Sequence, residues 1–246
     1  QLCHEILLLH YEHSNSTKYA EAKRAELEKW QQFEVYEEVN KRDYPDQEVI
    51  SCRWVNESKK VGNETKYKFR LVVRGFQESN PPISDSPTAQ KSLARSCIML
   101  CNMYGWRIES LDIRAAFMQS NDLDRIVLMT PPKEFKKDDD VVWRIKKPIY
   151  GLNDGARKWF ITMKKKLMEY GCVSLKLDPS VYVYHRDNNM HGFCVLHVDD
   201  FLIGGDKLFH ESVVERLCSD FEISSRNIGK FTYCLLYTSP SPRDRS

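Results

Sequence analysis

Strand-like and helix-like hydrophobic patterns alternate along this chain. Stretches rich in β-branched and aromatic residues, bounded by turn-forming residues, predict β-strands at positions 49–55, 67–73, 106–113 and 141–145. Three more such stretches follow one another through short connections and predict an antiparallel meander at positions 181–184, 193–198 and 201–203. The dipeptide at positions 62–63, Gly-Asn, predicts a turn between the first two strands.

Apolar residues recur about once per helical turn in four other stretches. Thr17 is a suitable cap for a helix that includes Trp30, and Gly105 closes a second helix. A third helix ends at Gly171, and a fourth covers positions 214–221. Helices mixed with antiparallel strands predict an α+β fold, in which the helices pack against an antiparallel sheet.

The two ends of the chain differ from the rest. Residues 1–16 show no clear pattern and are unassigned. Residues 234–246 can be written in codons that spell a transposase adapter used in library preparation, so we expect a disordered, adapter-derived tail. The folded region is therefore expected at residues 17–233.

Composition narrows the class of protein only slightly. Hydrophobic residues make up 41% of the chain and charged residues 29%, as in soluble globular proteins. No stretch has the ~18 consecutive apolar residues of a membrane span, so we expect an intracellular protein without a membrane partner. The net charge of +2 does not by itself indicate a nucleic-acid ligand.

Three aspartates are the candidates for chemistry. Asp199 and Asp200 lie between two strongly apolar strands, and Asp112 follows another strand. An aspartate at a turn or strand end is most often a turn former or a helix cap. Two adjacent carboxylates pinned against a core repel each other, however, and a divalent metal would compensate. Three acidic groups can hold two Mg²⁺ ions about 3.5–4 Å apart.

The chain also resembles the reverse transcriptase of copia-type LTR retrotransposons. The resemblance rests on segments that occur in the family's order from about Glu21 to Tyr233. These segments are RWV at 53–55, KFRLVVRGFQ at 68–77, DSPT at 85–88, LDIRAAF at 111–117, PPKEF at 131–135, KPIYGLND at 147–154, LDPS at 177–180 and HVDD at 197–200.

This resemblance implies a right-hand polymerase with fingers and palm, truncated before the thumb and RNase H domains. Asp112 is expected to bind both metals, Asp199 the catalytic metal, and Asp200 to be the weaker third carboxylate. Lys68 and Arg70 are expected to bind the incoming triphosphate, a task suited to charge-assisted hydrogen bonds. The alternative for this pair is ordinary polar alternation on an exposed strand.

Four other residues receive roles through the resemblance. Phe117 is expected to be the steric gate that excludes a ribose 2′-hydroxyl; the alternative is a core phenylalanine. Tyr150, Gly151 and Arg157 match a segment expected to contact the template.

The implied activity is RNA-directed DNA polymerisation with two Mg²⁺ ions, Mn²⁺ being an alternative. The implied partners are an RNA or DNA template with primer, dNTPs, and the integrase and RNase H domains of a Pol polyprotein in cytoplasmic particles. One alternative is a catalytically inactive remnant that binds nucleic acid. A second alternative is a two-metal nuclease of another fold. It is disfavoured because the segment 68–77 would have no role in such an enzyme.

Three positions depart from the family pattern. His197 stands where tyrosine is most common, and Gly155 stands where the family has alanine before a proline. Phe69 replaces a small alanine and is expected to displace Lys68 or Arg70.

Overall fold

The structure is a computed structural model that describes residues 2–61, 64–229 and 233, with side chains for residues 17–58, 65–229 and 233. The chain forms two compact units. The first unit combines Gln1–Ser84 with Ser120–Gly155, and the second combines Asp85–Gln119 with Ala156–Ser246. Each unit contains its own sheet and its own buried residues.

The described helices are as follows, in chain order: α1 (Leu2–Gln32), α2 (Lys91–Tyr104), α3 (Gly155–Glu169), α4 (Lys207–Phe209) and α5 (Glu215–Asp220). A π-helical turn, His210–Val214, joins the last two helices. Gly105 closes α2 in the left-handed conformation at φ 62°, as predicted, because glycine has no Cβ to clash there.

The described strands are as follows, in chain order: β1 (Tyr36–Asn40), β2 (Val49–Ile50), β3 (Cys52–Val61), β4 (Glu64–Val73), β5 (Arg107–Ile113), β6 (Leu128–Met129), β7 (Val141–Ile145), β8 (Cys172–Ser174), β9 (Val181–Arg186), β10 (Asn189–His197), β11 (Asp200–Gly205) and β12 (Ile223–Ile228).

The first unit consists of a small sheet, a hairpin and the long helix α1. Its sheet has the order β1-β7-β6-β2, and β3 pairs with β4 as a separate antiparallel hairpin against which α1 packs. Aromatic rings fill the space between α1 and the small sheet. Tyr36 stacks on Trp143 at 3.9 Å, and Trp30 lies 6.3 Å from the same ring.

The second unit is built on a six-stranded sheet in the order β12-β5-β11-β10-β9-β8. All of its pairings are antiparallel, and β9, β10 and β11 form the predicted meander. The predicted α+β fold with an antiparallel sheet and packed helices is therefore confirmed.

Helices cover both faces of this sheet. Leu111 and Phe201 belong to a core with Trp159 and Met163 of α3 and with residues near α5. On the other face, Leu202 packs in a core with residues of α2. A Cβ on Gly204 would collide with Cys101 of α2, so α2 crosses β11 at the end away from Asp200.

Several element boundaries differ from the predictions. The first helix begins at Leu2 rather than Thr17, so the backbone of residues 2–16, unassigned from sequence, is helical. The single strand predicted at 49–55 corresponds to two strands in different sheets. Strand β2 ends at Ile50, and β3 begins at Cys52. Strands β1 and β12 were not predicted, because both are mostly polar.

Two sequence predictions fall on residues outside the described parts: the turn at 62–63 and the tail at 234–246. Among the described residues, no helix has the length and apolar character needed to cross a membrane.

Candidate active site

Asp112 lies near the end of β5, the strand that β11 and β12 flank. The neighbouring residues Leu111 and Ile113 are each 1% exposed and belong to the core on one face of the sheet. Because side chains alternate along a strand, Asp112 lies on the opposite face. Two hydrophobic neighbours thus fix the position of a half-buried carboxylate on that face.

Asp199 and Asp200 lie at the hairpin between β10 and β11. His197 pairs with Asp200, which leaves Val198 and Asp199 as a two-residue turn. On the other side of the same strand, Asp200 is the cross-strand partner of Asp112. Directly opposed residues project to the same face, so these two carboxylates are neighbours.

The third carboxylate is connected to β5 through the backbone. The N–H of Ile113, the residue after Asp112, donates to the carbonyl oxygen of Asp199 at 3.2 Å. Asp112 and Asp199 are 87 positions apart in the chain (199 − 112). The sheet therefore brings together all three aspartates proposed from the sequence.

The turn has an unusual backbone. Val198 has φ 56°, in the left-handed region that β-branched residues rarely adopt. A strained residue of this kind costs about 1–3 kcal/mol and persists only where its surroundings hold it. Trp159 of α3 provides such a contact, because its indole Nε1 donates to the Val198 carbonyl oxygen at 2.6 Å.

Polar residues of β12 extend this face. Ser225 pairs with Asp112, next to an irregularity in the β12–β5 register. Asn227 donates through Nδ2 to the hydroxyl of Ser110 at 3.5 Å. This part of the sheet face therefore presents carboxylates and hydroxyls, unlike the apolar part under α2.

Within the described residues, no group of three or more His, Cys, Asp or Glu side chains could hold a metal ion by itself. The chemistry of the donors nevertheless fits Mg²⁺, which prefers carboxylate oxygens and keeps waters and substrate phosphate oxygens in its shell. Asp112 and Asp200, with Asp199 beside them, would supply only the protein ligands of such a shell.

The opposite face of the second unit's sheet contains a buried charge cluster that the sequence did not indicate. Glu109 is 0% exposed, and its carboxylate accepts from Arg226 Nε and Arg107, each at 2.9 Å. His210 Nδ1 lies 2.9 Å from the same carboxylate. Burial opposes ionisation of Glu109, but the nearby His210 and the hydrogen bonds from Arg226 and Arg107 prevail and lower its pKa to about 2.

Lys68 and Arg70 lie on β4 in the first unit. Lys68 is exposed and is the cross-strand partner of Glu57, while Arg70 makes an ion pair with Glu57. The Arg70 guanidinium also lies 5.2 Å from the centre of the Tyr150 ring. Both cations are therefore placed on one hairpin, with Arg70 held by an anion and an aromatic ring.

Phe69 does not occupy the face that carries Lys68 and Arg70. Its ring is 7% exposed and packs against Tyr19 at 5.3 Å and Trp54 at 6.3 Å. Alternation along β4 puts the neighbouring cations on the other face, so the larger residue is accommodated in the core of the first unit.

Gly151, Tyr150 and Arg157 have local structural contacts. Gly151 has φ 93°, and a Cβ there would collide with the Val73 carbonyl. The Tyr150 carbonyl accepts from the Val73 N–H at 3.0 Å. In the second unit, Arg157 donates to the Asp85 carbonyl at 3.0 Å.

Phe117 lies in a 3₁₀ turn just after β5 and is half-buried against the core that contains Trp159. This placement is compatible with both interpretations of the residue. Its position, five residues after Asp112, is set by the short turn that follows the strand.

Sequence analysis gave Trp159 no role beyond membership of the helix predicted to end at Gly171. Its hydrogen bond to Val198 joins positions 39 apart, and no sequence pattern reports such a bond. The sequence also did not reveal that Ser225 lies opposite Asp112. Strand β12, which contains Ser225, lacks the apolar alternation that indicates a strand.

Comparison with known proteins assigns the family. Residues 33–233 match the family described as "Reverse transcriptase (RNA-dependent DNA polymerase)". The match covers most of the chain, so the chain belongs to this family, and the copia-type resemblance is confirmed by plant transposon relatives.

The relatives are much longer proteins. The chain is 29% identical over 187 residues to "Retrovirus-related Pol polyprotein from transposon RE2" of Arabidopsis thaliana, covering 73% of this chain and 13% of that protein. It is 28% identical over 202 residues to "Retrovirus-related Pol polyprotein from transposon TNT 1-94" of Nicotiana tabacum, covering 78% and 15%. The chain therefore spans only about a seventh of these relatives.

Among solved structures, the chain is similar to an apo telomerase from Candida tropicalis that is truncated from its C-terminal domain. The alignment covers 87% of this chain and 56% of the telomerase chain. The TM-score is 0.43 and the identity 8%.

Proposed function

We propose that this chain is the catalytic core of an RNA-directed DNA polymerase, with the second unit as its palm. The observation that carries the proposal is the cross-strand register of Asp112 with Asp200, next to the turn that contains Asp199. Family membership supplies the reaction class, the transfer of a deoxynucleotide to a primer 3′-hydroxyl.

The chain's residues would act mainly by binding the metal cations and positioning the substrates. The Asp112 and Asp199 carboxylates would ligate the divalent metals, and Asp200 would add a weaker interaction. Two Mg²⁺ ions bound there would activate the primer hydroxyl and stabilise the leaving pyrophosphate. The half-buried setting of the aspartates limits competing hydration, which strengthens their interaction with cations.

The remaining roles are also proposals. Lys68 and Arg70 would bind the triphosphate of the incoming nucleotide, and Phe117 would select against ribose. Tyr150, Gly151 and Arg157 would contact the template. We also propose integrase and RNase H domains in the full protein and cytoplasmic particles as its location, as the copia-type resemblance implies. The match to a small part of much longer Pol polyproteins supports the presence of further domains.

Primer extension by a longer Pol protein that contains this chain together with a thumb domain tests this proposal. With an RNA template, DNA primer, dNTPs and Mg²⁺, we expect extension that Asp112→Asn and Asp199→Asn each reduce by at least ~100-fold, the scale of loss for groups that stabilise a transition state. Asp187→Asn is the matched control, because Asp187 is an exposed aspartate in the turn between β9 and β10 of the same sheet.

The outcomes separate the candidate functions. Extension that survives Asp199→Asn would exclude the proposed site. Binding of primer–template without any extension would instead support the alternative, a remnant that binds nucleic acid.

A further inference from the structure

A buried side chain of α3 holds the backbone of the turn between β10 and β11. Trp159 is 1% exposed, and its indole N–H donates to the Val198 carbonyl at 2.6 Å. That carbonyl belongs to the peptide group that joins Val198 to Asp199. Because a peptide group is planar, fixing its oxygen also fixes the orientation of the Asp199 N–H and restricts the direction of its Cα.

A second hydrogen bond holds the next peptide group. The Ile113 N–H donates at 3.2 Å to the Asp199 carbonyl, which belongs to the peptide that joins Asp199 to Asp200. Both peptide planes that flank Asp199 are therefore anchored. One anchor is the backbone next to Asp112, and the other is the indole of Trp159.

The anchor from Trp159 acts on a residue that needs restraint. Val198 has φ 56°, which a β-branched residue adopts only when other contacts compensate. Without the indole donor, the buried side of the turn loses a partner for its carbonyl, and rotation of the Val198–Asp199 peptide becomes easier. Such rotation would displace the Asp199 side chain relative to Asp112.

We propose that Trp159 is a positioning residue for the carboxylate site, one that sets the direction of Asp199 by holding the Val198 carbonyl. This inference rests on the proposed function for the identity of the bound cation. Trp159 itself touches neither cation nor substrate, and it acts only through the turn.

The position also has a packing role, which the choice of variant must separate from the hydrogen bond. The Trp159 ring makes an edge-to-face contact with Phe221, with 5.6 Å between ring centres and 85° between ring planes. Trp159→Phe retains a buried aromatic ring there and removes the N–H. Trp143→Phe is the matched control, since Trp143 is 2% exposed and lies in the first unit.

Amide hydrogen exchange of the full chain, measured by NMR, tests the positioning directly. In Trp159→Phe we expect the Ile113 amide to exchange about tenfold faster, because the peptide group that precedes its acceptor residue, Asp199, loses the hydrogen bond from the indole. Amides at the other end of β5 should keep their rates. Trp143→Phe should leave Ile113 unchanged.

Binding of Mn²⁺, followed by electron paramagnetic resonance, tests the consequence for the site. We expect Trp159→Phe to weaken Mn²⁺ binding by about tenfold, as loss of a supporting contact does at metal sites. Adding Val198→Gly should recover part of this affinity, since glycine adopts a positive φ without strain. Asp199→Asn defines the signal of a chain without the site.

The two experiments give different results when the inference about Trp159 is wrong and when the proposed function is wrong. Equal Ile113 exchange and equal Mn²⁺ affinity in Trp159→Phe and Trp143→Phe would overturn the inference about Trp159. Equal Mn²⁺ binding by the unmodified chain and Asp199→Asn would contradict the proposed function instead. In that case the Ile113 exchange rates still decide whether Trp159 holds the turn.

Discussion

At the scale of single residues, Glu109 shows how a buried charge is stabilised beside the candidate site. It lies three residues before Asp112 on β5 but faces the opposite side of the sheet. Two arginines and His210 surround its carboxylate, so ionised Glu109 is favoured in the folded chain. Neutralising it would leave Arg107 and Arg226 without the carboxylate that they share.

Glu109→Gln is therefore expected to lower the free energy of unfolding by about 3–5 kcal/mol at pH 7, measured by urea denaturation. Glu215→Gln is the matched control, because Glu215 pairs with the same Arg226 but is exposed. Its loss should cost less than about 1 kcal/mol. Equal effects of the two changes would contradict the importance of the buried cluster.

The same residue gives a pH dependence of stability. The folded-state pKa of Glu109 is lowered from 4.5 to about 2. Its stabilising contribution is therefore fully present above the ordinary pKa and is lost as pH falls toward the folded value. The difference in unfolding free energy between the unmodified chain and Glu109→Gln should shrink between these two pH values. A constant difference down to the lower value would contradict this assignment.

Phe117 carries a prediction about substrate choice. If its ring excludes a 2′-hydroxyl, Phe117→Val should admit ribonucleotides while dNTP incorporation changes little, as measured by single-nucleotide extension. Phe160→Val, in the same core, is expected to lower stability without changing sugar selection. Unchanged selection in Phe117→Val would identify Phe117 as a core residue only.

At the scale of elements, strands with a strong hydrophobic pattern were predicted from the sequence, and strands with a weak one were missed. Strands β9 to β11 were predicted because both faces of the central strands are apolar. Strand β12 is an edge strand whose pattern is largely exposed, so periodicity did not reveal it. The family resemblance implied that Asp112 and Asp199 share metals, whereas the register that pairs Asp112 with Asp200 required the structure.

The hairpin of β3 and β4 allows a test of the cations proposed to bind triphosphate. Arg70 is ion-paired with Glu57 in the same hairpin, and a phosphate would compete with that carboxylate. Glu57→Gln should therefore lower the apparent Kd for dNTP about two- to threefold, an effect of the size expected for a partly exposed pair. The measurement is the dNTP dependence of single-turnover extension.

The control for this change is Glu37→Gln, which removes an exposed ion pair with Arg144 that joins β1 and β7. It should leave nucleotide binding unchanged. An unaltered Kd in Glu57→Gln, or an equal change in both variants, would argue that Arg70 has a structural role only.

At the scale of the whole molecule, the two units carry different parts of the proposed chemistry. The carboxylates lie on the sheet of the second unit, and Lys68 and Arg70 lie on a hairpin of the first. The net charge of +2 is a sum over the chain and does not report where acidic and basic residues lie. Composition alone therefore did not indicate a polymerase. The family motifs did, because they lie at specific positions in both units.

The most direct test of the account is to locate Mn²⁺ by anomalous diffraction in crystals of the chain with primer–template and a non-hydrolysable dNTP. The account predicts two peaks about 3.5–4 Å apart, both ligated by Asp112 and one of them also by Asp199. Asp187, in the other hairpin turn of the sheet, should have no peak. Manganese bound elsewhere, with Asp112 and Asp199 free of metal, would contradict the central claim.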